Sequence, residues 1–322
     1  MIKKVLKALT AAVAALALAI VPSTAVFADE KPAVWLQVSP VANRVTLNPG
    51  DELTYTMQVD NIGSQKFKFR VYAAPYSIQN EAYEVNFSAE TNRTQISRWI
   101  SFNQNKDAEK DSEKRWVSEA TFEVAPDEHQ VVEYKISVPK DIPDGGQYAT
   151  IFAESVPDSD AEITGVRTIS RVGLIIYGNT LGETVDKAEI SDIDLSSFLL
   201  GGKITSKVDI KNEGNTDFTA NVTMKIEKLI GGPVAEITNP YAMLPDSPAR
   251  HIELEWDDTP VFGIFKVKTT VKALDQTKEV SKIVIIMPVF IMIIMLVLLT
   301  IIIVWLILII RKRRAQKSRL IV

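Results

Sequence analysis

Apolar and polar positions alternate through most of the chain, in short runs closed by turn residues. Leu53-Thr-Tyr-Thr-Met-Gln-Val-Asp60 has this period of two, and Phe67, Phe69 and Val71 alternate with Lys66, Lys68 and Arg70 after Asn61-Ile-Gly63-Ser. The pattern predicts a strand, an Asn/Gly turn and a second strand, each with one buried face. It recurs 151 positions later as Ile204–Lys211, Asn212-Glu-Gly214-Asn, then Phe218, Ala220, Val222, Met224 and Ile226. Thr54/Thr205, Asn61/Asn212, Gly63/Gly214, Phe67/Phe218 and Val71/Val222 coincide without a gap. The chain reads as a duplication.

Further strands are expected over residues 34–38, 115–124, 129–138, 147–155 and 163–177, and over 250–256 and 261–273 in the second half. Asn48-Pro49-Gly50-Asp51, Ala125-Pro126-Asp127-Glu128, Pro143-Asp144-Gly145-Gly146 and Asp257-Asp258-Thr-Pro260 supply turns between them. Many short strands at regular spacing predict an all-β protein of two tandem immunoglobulin-like β-sandwich modules, residues 29–182 and 183–286. Residues 88–114 break the alternation, ending in a run of mixed charge from Lys106 to Lys114. The charged run is expected to be a solvated loop or a frayed helix, although long loops in compact domains also carry binding function; Ser97-Arg-Trp99-Ile-Ser-Phe102 just before it is the expected anchoring edge.

The two ends follow other rules. Residues 1–28 open with Lys3, Lys4 and Lys7, continue through an apolar run that Pro22 ends, and finish Val26-Phe27-Ala28. This is the layout of a secretory signal cleaved after Ala28, with an uncleaved anchor as the alternative. From Ile283 to Ile310 no residue is charged, whereas crossing a bilayer takes about 20 residues. The excess is assigned to a last strand reaching Ile286, and Pro288 fits a first helical turn. A transmembrane helix is therefore expected over residues 287–310. Arg311, Lys312, Arg313 and Arg314 begin a basic tail, residues 311–322, which puts the C-terminus in the cytoplasm by the positive-inside rule. The reading is a type I single-pass membrane protein whose tail is too short to fold.

Composition narrows the chemistry. The chain has 322 residues and no Cys, so a disulfide scaffold and thiolate catalysis are excluded. Residues 29–282 hold 27 basic and 40 acidic side chains, which argues against nucleic acid as a partner. His129 and His251 stand far apart in strand-like runs without a metal motif around them. Asp158, Asp160 and Glu162 alternate after Pro157 and could hold a cation, but they lack the Gly and terminal acid of an EF-hand loop. No Gly-x-Ser-x-Gly elbow, phosphate loop or HExxH motif occurs, so neither an enzyme nor a cofactor is expected. Trp116 and Trp256 fall inside alternating strands and read as core, whereas Trp35 and Trp99 lie nearer module edges and are the ligand-binding candidates.

Val38-Ser-Pro40, Leu47-Asn-Pro-Gly50, the Leu53–Val71 hairpin, Val138–Phe152 and Val172-Gly-Leu-Ile-Ile-Tyr177 together resemble the WxL-interacting proteins of Gram-positive cell surfaces. The order of signal peptide, two sandwiches, helix and basic tail is similar as well. That resemblance implies a cell-surface protein whose first module binds peptidoglycan and whose second meets partner proteins. It carries over no site residue. The combined expectation is a non-enzymatic, membrane-anchored binding or scaffold protein contacting cell-wall glycan, surface proteins or both. The alternative is a passive stalk or subunit of a larger envelope complex.

Overall fold

The computed structural model describes residues 32–105, 114–156 and 169–319. The expected signal peptide and the Asp158, Asp160 and Glu162 group lie outside these residues. In the first module the strands are β1 (Leu36–Ser39), β2 (Ala42–Leu47), β3 (Glu52–Asn61), β4 (Phe67–Pro75), β5 (Ser77–Ile78) and β6 (Val85–Asn86). A 3-10 turn, Gln95–Arg98, precedes β7 (Ile100–Asn103), β8 (Trp116–Val117), β9 (Glu119–Val124), β10 (His129–Ser137), β11 (Gly146–Val156) and β12 (Arg171–Thr180). The second module has β13 (Ala188–Ile190), β14 (Asp194–Leu195), β15 (Phe198–Leu199), β16 (Ile204–Asn212) and β17 (Phe218–Lys228). It continues with β18 (Pro233–Met243), β19 (Arg250–Trp256), β20 (Gly263–Ala273) and β21 (Gln276–Ile286), followed by helix α1 (Val289–Arg319).

Each module is two sheets face to face, as the alternation requires. In the first, β1-β3-β10-β7-β8 faces β2-β12-β11-β4-β9. In the second, a sheet with β13 and β14 on one edge of β16 and β19 on the other faces β15-β21-β20-β17-β18. The orders β2-β12-β11-β4-β9 and β15-β21-β20-β17-β18 correspond strand for strand. Even the parallel pairing recurs, with β2 beside β12 and β15 beside β21. Leu47, Phe69, Phe102, Ile151 and Ile176 lie in the first core; Val222, Met224, Leu254, Trp256 and Val267 lie in the second.

The duplicated turn is the same in atomic detail. Asn61 is buried, accepts from Gly63 N through Oδ1 at 3.0 Å, and donates through Nδ2 to the carbonyls of Gln65 and Val124. Asn212 is buried too, accepts from Gly214 N at 2.8 Å, and donates to the carbonyls of Thr216 and Met243. Backbone groups that would be orphaned in a tight turn are thereby paired. Gly is required at the third position, because a Cβ on Gly63 would come within 2.8 Å of Ala33 O and one on Gly214 would collide with Val185 O. Asp127 and Asp246, each after a Pro, share a left-handed φ of 57° in the next turn.

Several expectations need correction. Residues 88–105 are not a solvated loop: Ile96, Ile100 and Phe102 are core residues and β7 pairs with β10; the charged run over residues 106–113 lies outside the described residues. Ile96 anchors the 3-10 turn, and that local burial is invisible in a polar sequence average. Strands β2 and β18 were not anticipated; β18 is mostly exposed and carries Pro233 and Pro240, as edge strands do. Trp116 is only half-buried, with the Lys135 ammonium 5.0 Å from its ring centroid. Finally, α1 does not stop before the charges but runs on to Arg319. Lys and Arg are good helix formers, and cations suit a helix C-terminus.

Candidate functional site

The largest departure from the duplication is the connection between β4 and β9. It spans residues 76–118, whereas its counterpart between β17 and β18 is the turn of residues 229–232. The long connection first folds over the outer face of β11. Phe87 packs edge-on against Phe152 with centroids 4.8 Å apart, and Tyr76 lies against Phe87 and Tyr177. Tyr148, Thr150 and Phe152 are therefore buried on the face opposite the core residues Ala149, Ile151 and Ala153. This is why β11 is buried on both sides.

The same connection then meets the second module. Tyr83 OH accepts from Leu244 N at 2.7 Å and lies 3.1 Å from Ser247 Oγ. Because Ser247 Oγ donates to Leu244 O at 2.7 Å, the phenol is the donor to Ser247. The Arg250 guanidinium stacks between Tyr83 and Tyr241, 4.3 and 4.8 Å from their centroids. Arg93 Nε donates to Asp246 Oδ2 at 2.7 Å, and Glu81 O accepts from His251 N.

A second strip of the junction comes from the turn before β11 and from β2. Gly146 N donates to Asn215 O at 2.7 Å. Gly145 has φ +95°, and a Cβ there would collide with Asn215 O. Asp217 receives Arg44 Nη1 at 2.7 Å on one oxygen and Tyr148 OH at 3.3 Å on the other. Its side chain is 8% exposed, so both partners matter to satisfying the charge. Arg44 also stacks over Tyr177 at 4.5 Å.

The electrostatics suit a fastener better than a catalyst. Burial raises the pKa of Tyr76, Tyr83, Tyr148 and Tyr177 above the ordinary phenol range, and the nearby Asp217 carboxylate adds to this at Tyr148. Phenols held neutral donate hydrogen bonds but do not act as bases near neutral pH. A groove of about 140 Å³ lies beside Tyr76, Thr91, Arg93 and Asp246. That is below the roughly 300–1,000 Å³ of ordinary ligand sites. Among the described residues, no group of three His, Asp or Glu side chains could hold a metal ion.

The sequence-selected residues fall elsewhere. Trp35 precedes β1, is 49% exposed, and its carbonyl accepts from Ile62 N beside the Asn61 turn. Trp99 follows the 3-10 turn, is half-buried against the core, and its carbonyl accepts from Ser137 N. Since β3 and β10 pair from Asp60/His129 to Glu52/Ser137, these tryptophans sit at opposite ends of one sheet, roughly 30 Å apart at 3.4 Å per residue. They do not form one platform. His129 and His251 lie in different modules, and His251 Nδ1 is 2.7 Å from Asp209 Oδ1. Arg311 lies at the far end of the apolar part of α1, and Lys312, Arg313 and Arg314 continue the helix. Sequence reasoning missed Tyr83, Asp217, Asp246 and Arg250. The available signal was the length of residues 76–118 against the matching four-residue turn.

No family model and no curated protein matches this chain. Several solved structures share its outline. The class 5 fimbriae chaperone CfaA is 12% identical over 78% of this chain and 99% of its own, with a TM-score of 0.36. The E. coli chaperone DraB is 11% identical over 77% and 98%, with a TM-score of 0.34. The Pseudomonas aeruginosa CupB2 chaperone is 12% identical over 75% and 97%, with a TM-score of 0.33. Similarity at this level assigns no function. These neighbours are fimbrial chaperones and not WxL-interacting proteins, which overturns the resemblance drawn from the sequence, and the peptidoglycan expectation loses its support. The motifs behind it have a local cause. Val38-Ser-Pro40 lies where the chain passes from β1 in one sheet to β2 in the other, and Leu47-Asn-Pro-Gly50 turns β2 into β3. Pro143–Gly146 shapes the junction.

Proposed function

We propose that this chain is a membrane-anchored, non-enzymatic binding protein of the cell surface. In this reading α1 spans the membrane, the basic end of the helix faces the cytoplasm, and the two docked modules form an arm outside. The 23-residue segment Val289–Arg311 is long and apolar enough to cross, and none of its most apolar window is buried in the fold. A protein–protein role fits the ectodomain better than catalysis, since its junction is filled by neutral tyrosines and paired charges.

The observation that carries this reading is an asymmetry between equivalent turns. In the second module the β16–β17 and β18–β19 turns are used up in contacting the first. Their counterparts, β3–β4 and β9–β10, lie at the other end of the first module, because β4 runs from Phe67 at that end to Pro75 at the junction. The free end carries Trp35, whose exposed indole is the kind of anchor that dominates protein interfaces. The partner we assign is a surface protein.

The test uses the full chain in its own membranes. Membrane fractionation and protease accessibility should find the modules outside and the protein retained by detergent-sensitive insertion. Cross-linking on intact cells should recover a protein partner, and Trp35→Ala should weaken its binding about tenfold, as loss of an aromatic anchor does. Equal recovery by Trp35→Ala, or binding only to protein-stripped cell wall, would contradict the assignment.

A further inference from the structure

The end of the second module from which α1 departs is unusually apolar. Phe198 lies in β15 and Leu200 follows it; Leu229 and Ile230 form the β17–β18 turn; Val261 and Phe262 lead into β20. All six are exposed, with Ile230 at 93%. Strand register gathers them at one end. Leu199 and Gly263 both pair with Ile286, the last residue of β21, and Lys228 pairs with Phe265 two residues into β20. A shallow groove of about 500 Å³ between Leu229–Ile230 and Phe262–Phe265 is lined almost wholly by apolar atoms.

None of the described residues covers this collar, and the chain ties the end of β21 closely to α1. Only Met287 and Pro288 separate β21 from the helix. Met287 N donates to Leu199 O at 2.8 Å, and Pro288 is buried. Three residues of chain reach at most about 10 Å, so Ile286, beside Leu199 and Gly263, lies within that distance of the first helical turn; the β17–β18 turn is two strands further across the sheet, roughly 10 Å at the usual strand spacing. The apolar part of α1 is roughly 35 Å long at 1.5 Å per residue. It therefore fills the roughly 30 Å hydrocarbon core with its first turn near the boundary. Beyond that boundary lies a headgroup region, about 5–8 Å deep on each side, where amphipathic surfaces settle.

We propose that this collar is a membrane-contact surface: Phe198, Leu200, Leu229, Ile230, Val261 and Phe262 dip into the outer headgroup region around α1, so that the second module sits on the bilayer. The inference rests on the anchor reading of α1 above. The contact is mainly apolar: Lys203 at this end is already paired with Glu255 and Asp257, and Lys228 flanks the groove as a single charge. Zwitterionic lipid therefore suffices.

The absence of Cys makes the test direct. The full chain is reconstituted in phosphatidylcholine nanodiscs with one environment-sensitive fluorophore at Ile230→Cys, Val131→Cys or Ile302→Cys. Val131 is an equally apolar, half-exposed site on the first module, and Ile302 lies mid-helix. The proposal expects a blue-shifted emission at Ile230, quenched by lipid-borne quenchers, with Val131 unaffected and Ile302 quenched most. An Ile230 label that matches Val131 while Ile302 is quenched would overturn the collar and leave the anchor intact. An unquenched Ile302 label would overturn both. The substitution is safe for folding because the Ile230 side chain has no packing to lose.

Discussion

The two modules are copies of one strand order put to different uses at corresponding ends. In the first module, the end bearing the β10–β11 turn meets protein, and it is built of Arg44, Arg93, Tyr83 and Tyr148 reaching carboxylates and backbone. In the second, the matching end bears Leu229, Ile230 and Phe262, exposed and aliphatic or aromatic. The fold is indifferent to this choice. Strand pairing and the buried Asn turn are satisfied internally in both copies, so loop length and loop chemistry decide what each end meets. Residues 76–118 and residues 229–232 occupy the same topological position, and of the two the longer connection carries polar groups that help join the modules.

The shared turn can be broken hardest. Gly214→Ala should destabilise the second module by roughly 3 kcal/mol, because the new Cβ meets backbone that cannot move aside. Gly63→Ala should cost the first module less, since its nearest atoms are farther away. Urea unfolding of the two variants should place the larger loss in the second module. Equal losses would contradict the difference in clearance, and negligible losses would mean that glycine is not required at this position of the turn.

Removing the Tyr83 hydroxyl probes the difference between the modules. Tyr83→Phe keeps the stack on Arg250 but leaves Leu244 N without its acceptor, at a cost of about 1–2 kcal/mol. Calorimetry should show the module transitions separating where the natural chain couples them. Unchanged coupling would show that the junction is held by other contacts.

A smaller effect comes from pH. Burial works to raise the pKa of Glu154, but hydrogen bonds from Arg70 and Tyr72 and the charges of Arg70 and Arg171 outweigh it and hold the carboxyl below its ordinary range. A depressed folded-state value stabilises above the unfolded pKa, and that contribution is lost as pH falls through the folded value. The first module should therefore weaken on acidification below about pH 4.5, and Glu154→Gln should remove that part of the dependence. Asp192 in the second module is also shifted down, by Lys278, but it is fully exposed. Salt should erase its effect and spare that of Glu154. Thermal melts across pH and ionic strength separate the two.

Much of the fold was legible because alternation reports burial directly: β19 was read at its observed bounds, and the Asn61/Asn212 register identified the duplication. What was not legible depends on tertiary cover. Ser97–Phe102 reads as an anchoring edge, and Ile100 and Phe102 do reach the core, but the 3-10 turn held by Ile96 and the pairing of β7 with β10 are not visible in the sequence. Trp116, placed in the core by alternation, lies on a short edge strand and is half-buried. The junction was hidden for another reason: Tyr83, Asp217 and Asp246 are ordinary loop residues until two distant turns meet. Residues 88–114 were marked as a place where binding could reside, and Arg93 within them does bind, but to the second module of the same chain.

The account depends most on the modules being docked as one arm. A spin-label distance between Val131→Cys in the first module and Thr238→Cys in the second, on the full chain in nanodiscs, measures this directly. One narrow distribution that broadens on Tyr83→Phe is the predicted result. A broad distribution in the natural background would contradict the docked arm and return the chain to two independently moving modules.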